Sequence, residues 1–450
     1  MSTARTLPAA RTATRAAWAS AVGTMLEWYD FGIYGVVAAL VLNQAFFPTL
    51  DPAVATIVSF STLTVGFVAR PVGAIVFGHI GDRWGRRSTL ILTLVITGAV
   101  TILIGLLPTY ADIGIAAPII LVALRFLQGV GLGGEWGGAV LLSTEHAPAD
   151  RRSYYGGIMA MGVPLGVLLS NAVFLIITLA VPFDQFQAWG WRIPFLGSIL
   201  ILAVGLWIRI RVPESPQFAE LKAETTPGSR ARLPLRDIFT IQPGRTLLSV
   251  LVIVGSSAVA YVYLSFILSW GQGAVGYPAP VILGAICVGA VIWAAAAPYF
   301  ASRGDRVGGM RGLFLGWGLV RTVAVIPFFL LVSTGNVVLL YIAMGLMGGV
   351  ISATQVPAGA AIASLFPVRV RYTGTSFAYQ VGSILGGGIT PLVAAAIIAT
   401  AAGLAGVIGY VVLISLISCA AGFLFRRDAL NTPKSSSEEA GVVSESVRAD

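Results

Sequence analysis

Long apolar runs separated by short polar ones set the pattern of this chain. The runs lie at about 16–42, 53–78, 88–108, 118–142, 153–181, 189–210, 246–270, 279–300, 312–333, 336–364, 374–400 and 403–425. Each is long enough for an α-helix, rising about 1.5 Å per residue, to cross a hydrocarbon core about 30 Å thick. The pattern therefore predicts an all-α integral membrane protein with twelve transmembrane helices. The longest polar interval, 211–245, holds Glu214, Lys222, Glu224, Arg230 and Pro234 and divides the helices six and six. The expected parts are a cytoplasmic N-tail (1–15), a six-helix bundle (16–210), a cytoplasmic linker (211–245), a second bundle (246–425) and a tail (426–450). Within the linker, 215–223 reads as an amphipathic surface helix. The tail is rich in Ser and Glu and is expected to be disordered.

Composition agrees. Of 450 residues 57% are apolar and 10% charged, against about 25% charged in a soluble domain. The net charge of +9 does not point to nucleic acid, because the basic residues cluster at the ends of the apolar runs. All but four of the 28 Lys and Arg fall in the N-tail, the tail, or alternate polar intervals, including 79–88, 143–152, 209–245, 301–311 and 367–372. The exceptions are Arg70, Arg125, Arg192 and Arg321. The positive-inside rule then places both termini in the cytoplasm. The first run is too long for a signal-peptide core and lacks a small-residue cleavage site after it, so a retained helix is expected. Cys287 and Cys419 lie in separate runs, and His79 and His146 stand alone at helix ends. Neither a disulfide framework nor a metal site is expected, and no cofactor.

Two segments recur. GHIGDRWGRR (78–87) returns in worn form as SRGDRVGGMR (302–311), matching Asp82 with Asp305. ADRRSYYGG (149–157) has a looser echo in RVRYTGTS (369–376), matching Arg152 with Arg371 at nearly the same offset. A duplicated six-helix unit follows, with a binding site expected where the repeats meet.

The chemistry concentrates in GTMLEWYDFGIYG (23–35). Glu27 and Asp30 sit one turn apart near the middle of the first span. A carboxylate there costs roughly 2.5–3.5 kcal/mol or more. The remedies are a proton, a buried Arg or a water-filled cavity, and each belongs to a proton-coupled carrier. Glu135, on span four, is the third candidate for proton coupling. It stands ten residues from Arg125, roughly 80° around a continuous helix, so both can border one cavity. Arg125 is placed either to hold a substrate carboxylate or to pair with Glu27 or Asp30. Gln128, Tyr34 and Trp136 are further substrate candidates in the first half, and Tyr261, Tyr263, Gln355, Tyr379 and Gln380 in the second. The second half has no intramembrane acid, so the proton machinery belongs to the first. Arg70 can snorkel toward the membrane rim, and a structural role is as compatible with its position as a functional one. Arg321 reads as structural. Glycines 129, 131, 133, 134, 137 and 138 favour close helix packing. In the 78–87 loop, Gly78, Gly81 and Gly85 permit tight turns, and Asp82 can cap a helix or pair with Arg83, Arg86 or Arg87. With Asp305 these form a candidate conformational gate.

GTMLEWYDFGIYG, FVARPVGAIVFGHIGDRWGRR, LRFLQGVGLGGEWGGAV, EHAPADRRSYYG, PESPQF and RVRYTGTSFAYQ together resemble the metabolite:proton symporter family of the major facilitator superfamily. The resemblance implies two pseudo-symmetric six-helix bundles, alternating access and proton-driven uptake of a small acid or zwitterion. Its members carry proline and betaine, 2-oxoglutarate, citrate and shikimate. RFLQG resembles the superfamily's fourth-helix motif, whose Arg, here Arg125, is associated with proton transfer. The tail lacks the heptads of the family's coiled-coil osmolyte carriers. The expected activity is proton symport of a small carboxylate-bearing metabolite or osmolyte across the inner membrane, by a monomer whose partners are protons, solute and lipid. Proton-driven efflux and a solute receptor that does not transport are the alternatives. No nucleophile–base arrangement or phosphate loop suggests an enzyme.

Overall fold

The computed structural model describes residues 6–84, 86–210, 239, 243–306, 312–367, 370–398 and 400–424. The expected surface helix at 215–223 and the tail lie outside these residues. No strand occurs among them, and twelve long helical segments make up the structure. They are α1 (Thr6–Leu40), α2 (Pro52–Trp84), α3 (Arg86–Leu106), α4 (Ala116–Glu145), α5 (Ala149–Ala180) and α6 (Phe186–Ile210) in the first half. The second half has α7 (Pro243–Val275), α8 (Ala279–Gly304), α9 (Leu313–Ser333), α10 (Val337–Leu365), α11 (Arg371–Ile398) and α12 (Gly403–Phe423). Among the described residues 11 helices are long and apolar enough to cross a membrane. The first, α1, has the length but is less apolar, because it carries Glu27 and Asp30 in its middle. It also begins at Thr6, well before the expected position 16.

The helix partners repeat with a shift of six. α1 packs on α5, α2 on α4 and α3 on α6; α7 packs on α11, α8 on α10 and α9 on α12. This is the duplicated bundle the worn motifs predicted. The halves meet where α5 lies on α8 and where α2 and α4 lie on α11. Glycine seams set the closest contacts. On α4, a Cβ at Gly129 or Gly133 would collide with the Gly66 or Arg70 carbonyl of α2. On α5, Gly162 and Gly166 face the Ala21 and Met25 carbonyls of α1 in the same way, and Gly348 of α10 faces the Gly289 carbonyl of α8. Lipid offers helices no hydrophobic drive to associate, so backbone approach through small residues carries the packing.

Two expectations need correction. The 78–87 segment is not an open loop: α2 runs on to Trp84 and α3 starts at Arg86. Gly85, and the side chains of the expected gate residues Asp82, Arg83, Arg86 and Arg87 with Gly78 and Gly81, lie outside the described residues. The fourth span is not one continuous helix either. It is interrupted at Gly134, between Ala116–Gly133 and Glu135–Glu145, so the count from Arg125 to Glu135 crosses that interruption.

Candidate functional site

Chain direction orders the site. α1 runs away from the side that holds the 78–87 segment, here the motif side, while α2, α4 and α6 run toward it. Along α1 the order from the motif side is therefore Glu27, then Asp30. Along α4, Arg125 stands nearest the opposite side and Glu135 nearest the motif side.

Three polar layers result. In the outermost, Arg125 donates to the Gln128 amide oxygen, and the Gln128 amide nitrogen donates to the Thr101 hydroxyl at 2.7 Å. The Arg125 guanidinium lies 3.6 Å from the centre of the Tyr34 ring, and the Tyr34 and Thr62 hydroxyls share a 2.6 Å hydrogen bond. Asp30 is next to this layer. Its carboxyl faces the Thr101 and Ser198 hydroxyls, the latter at 3.5 Å. Arg125 makes no ion pair among the described residues, so the expected Arg125 contact with Glu27 or Asp30 is absent. The guanidinium is held by an amide and an aromatic face instead.

In the middle layer, Glu27 pairs with Arg70 at 3.4 Å, both buried. Arg70 does not snorkel to the rim. Its guanidinium turns inward over the Phe67 ring at 4.7 Å and near Phe31 at 6.0 Å. Tyr261, from α7, closes this layer from the second half, with its ring 5.6, 5.1 and 5.3 Å from those of Trp28, Phe31 and Phe67. Tyr263 points elsewhere, against Gly289 of α8.

In the layer nearest the motif side, Glu135 accepts from Arg209 at 2.5 Å, and Arg209 also donates to the Leu90 carbonyl of α3 at 2.5 Å. By position Arg209 belongs with the basic residues of 209–245. It is only 6% exposed and ties α6 to α4 and α3. The carbonyls freed by the break in α4 are taken up across the halves. The Tyr372 hydroxyl donates to Gly134 O at 2.5 Å and the Gln380 amide to Gly133 O at 3.2 Å. Trp136 stacks on Tyr379, ring centres 3.6 Å apart and planes within 7°. Further out on this side, Asp305 accepts from the backbone N–H groups of Ser153 and Tyr154 at 2.7 and 2.8 Å. A carboxylate from the second half thus caps the first turn of α5 in the first half. Burial raises its carboxyl above the ordinary value, and the two N–H donors offset part of that rise.

Between the halves lies a cavity of about 30 Å³, walled by Trp136, Met159, Ser256, Trp293, Gln355 and Tyr379 among others. That is room for about one water. Of the expected substrate residues, Trp136, Gln355 and Tyr379 line it; Arg125, Gln128, Tyr34, Tyr261 and Gln380 do not. On the motif side the described parts of the two halves are joined by the contacts of Tyr372, Gln380 and Asp305. Asp305→Ala would leave two N–H groups of a helix N-terminus unpaired, at about 1–3 kcal/mol. The expected result is roughly tenfold more opening on the motif side. Alkylation of a Ser153→Cys reporter, with Cys287 and Cys419 replaced by Ser, measures it; unchanged labelling would make the contact idle.

Comparison with known proteins gives the setting. Residues 16–234 match the family described as "Sugar (and other) transporter". The inner membrane metabolite transport protein YhjE of Escherichia coli strain K12 is 37% identical over 382 residues, 84% of this chain and 86% of that protein. The shikimate transporter of the same strain is 36% identical over 395 residues, 87% of this chain and 89% of that one. The glycine betaine/proline/ectoine/pipecolic acid transporter OusA of Dickeya dadantii strain 3937 is 30% identical over 428 residues, 93% and 84% of the two chains. Among solved structures, the proton:xylose symporter XylE bound to 6-bromo-6-deoxy-D-glucose superposes with a TM-score of 0.74 at 15% identity, covering 92% of this chain and 96% of that one. At that identity the likeness concerns the fold.

Proposed function

Because the chain belongs to the metabolite transporters of the major facilitator superfamily, we propose that it takes up a small carboxylate-bearing metabolite together with protons, by alternating access between its two halves. The observation that carries this reading is the stack of buried acids in the first half. Asp30 has hydroxyls but no ion-pair partner among the described residues, and Glu27 has a single arginine contact. Protonation removes an uncompensated charge from such a site, and a carrier that exposes the site first to one side and then to the other moves that proton with its solute. The contacts of Asp305, Tyr372 and Gln380 hold one side shut in this state, and the Asp82 segment is proposed as the matching clasp.

On this reading the helices span the inner membrane and both termini lie in the cytoplasm. Reporter fusions after Leu50, Ala111 and Pro278 are expected to report the outside, and those after Arg87, Lys222 and Arg427 the cytoplasm. One inverted site would break the arrangement. The function itself is tested in proteoliposomes. Counterflow of labelled solute is expected from a carrier, and a receptor gives none. In weakly buffered medium, uptake by symport makes the outside more alkaline, whereas antiport would acidify it.

A further inference from the structure

Two of the recurring segments meet each other across the halves. ADRRSYYGG (149–157) opens α5, and SRGDRVGGMR (302–311) begins in the last turn of α8. α5 leaves the motif side and α8 returns to it, so the two helices cross antiparallel. Their contact fills two successive turns. In the outer turn, Asp305 accepts from the Ser153 and Tyr154 N–H groups. Four residues further in along each helix, Gly157 of α5 lies against Ala301 of α8.

This inner contact has no room to spare. A Cβ on Gly157 would overlap the Ala301 Cβ, and would lie 3.1 Å from Val356 Cγ1 on α10 and 3.4 Å from the Ala301 Cα. An alanine Cβ moves only with its backbone, so the two helices would have to separate. Ala297, Ala301 and Val356 continue the tight surface, with Ala160 and Met161 of α5 packed on it. Val356 also lines the cavity between the halves, so the crossing stands in the wall that a solute must pass on the motif side. Gly156, next in the chain, is different. A Cβ there would meet Thr144 Cγ2 at 3.3 Å and Ala360 Cβ at 3.4 Å, which a small adjustment absorbs. The repeat carries a related contact. Ser376 holds in RVRYTGTS the place that Gly157 holds in ADRRSYYGG, and it meets Gly137 of α4. At both contacts the first half supplies a glycine and the second half a small side chain.

We propose that Gly157 sets the balance between the carrier's two states: the motif side closes because this position has no side chain, and one carbon added there holds the halves apart. This rests on the alternating-access reading above and adds the contact that limits closure. The three atoms nearest the added carbon all belong to the second half, so the clash vanishes when the halves part. A penalty borne by one state alone moves the population to the other. Overpacking of a close contact suffices for a shift of at least about tenfold.

The test needs no solute. Spin labels on Arg152→Cys of α5 and Ser302→Cys of α8, both exposed positions, are placed in the full chain with Cys287 and Cys419 replaced by Ser. Pulsed electron resonance in lipid nanodiscs then reads the fractions with short and long separation. Wild type is expected to be mostly short. Gly157→Ala is expected to raise the ratio of long to short at least about tenfold. Gly156→Ala, which makes the same gain in helix propensity one residue away, should leave the ratio unchanged. Gly157→Ala combined with Ala301→Gly moves the methyl from one helix to the other and should restore the wild-type ratio. If Gly157→Ala does not fold, Ala301→Val adds bulk from the other helix and is held to the same expectation. The proposal is overturned by an unchanged ratio in Gly157→Ala, by an equal change in Gly156→Ala, or by no recovery in the exchanged pair. Wild-type counterflow beside an unchanged ratio would sink the proposal and leave the transport reading standing. A shifted ratio with no counterflow from wild type would do the reverse.

Discussion

Glu27→Gln and Asp30→Asn are each expected to abolish uphill, proton-driven uptake. At least one of them should still exchange solute down its gradient, because exchange returns the carrier without net proton release. The two carboxyls lie one turn apart on α1, so on the proposed reading a proton on one bears on the charge of the other. Their settings differ, however. Asp30 is held by hydroxyls and Glu27 by Arg70. Coupling between proton and solute is reciprocal: protons tighten solute binding by the factor by which solute tightens proton binding. Removing the proton site therefore removes the pH dependence of solute affinity along with concentrative uptake. The measurement is concentrative uptake beside counterflow in the same vesicles, across pH. If both variants concentrate solute as wild type does, the coupling site lies elsewhere, and Glu135 is the next residue to examine.

A fall in stability, not only in activity, is expected at the Glu135–Arg209 pair. Arg209→Ala leaves a buried carboxylate without its cation and the Leu90 carbonyl without its donor. Breaking a buried pair from one side costs about 3–5 kcal/mol. The double variant Glu135→Gln with Arg209→Gln carries no stranded charge and should recover a large part of that loss. Thermal unfolding of the three proteins in one detergent reads the difference. Additive losses in the double variant would mean that the two residues act independently.

The helices were legible because a bilayer demands length and apolarity, and the chain supplies both in runs. The repeat was legible in Asp82 and Asp305, since a charged loop between helices leaves a pattern even when worn. The acids of α1 stood out because a midplane carboxylate has few innocent explanations. Their partners did not. Arg70 at its depth can turn toward the rim or toward the core, and its inward course goes with Glu27 and the Phe67 ring, which other positions of the chain bring to it. Arg209 sits at a helix end in a basic stretch, where the rule that orients membrane proteins accounts for it too readily. Its burial depends on Glu135 reaching it from another helix. The break in α4 was hidden for a related reason: GLGGEWGG reads as a packing surface, and the same glycines also allow the turn at Gly134, whose carbonyl then accepts from the Tyr372 hydroxyl.

The size of the central cavity has a mechanical consequence. Solute pockets run to roughly 300 Å³ or more, and this state offers about 30 Å³. The glycine seams pack each half closely, so on the proposed reading the missing volume comes from moving the halves apart. On the alternating-access reading, turnover then includes an expansion of the protein within the plane of the membrane, and measured binding strength is the intrinsic affinity less the work of that expansion. Transport should accordingly slow under hydrostatic pressure and respond to acyl-chain packing, while solute exchange between already expanded states should be much less sensitive.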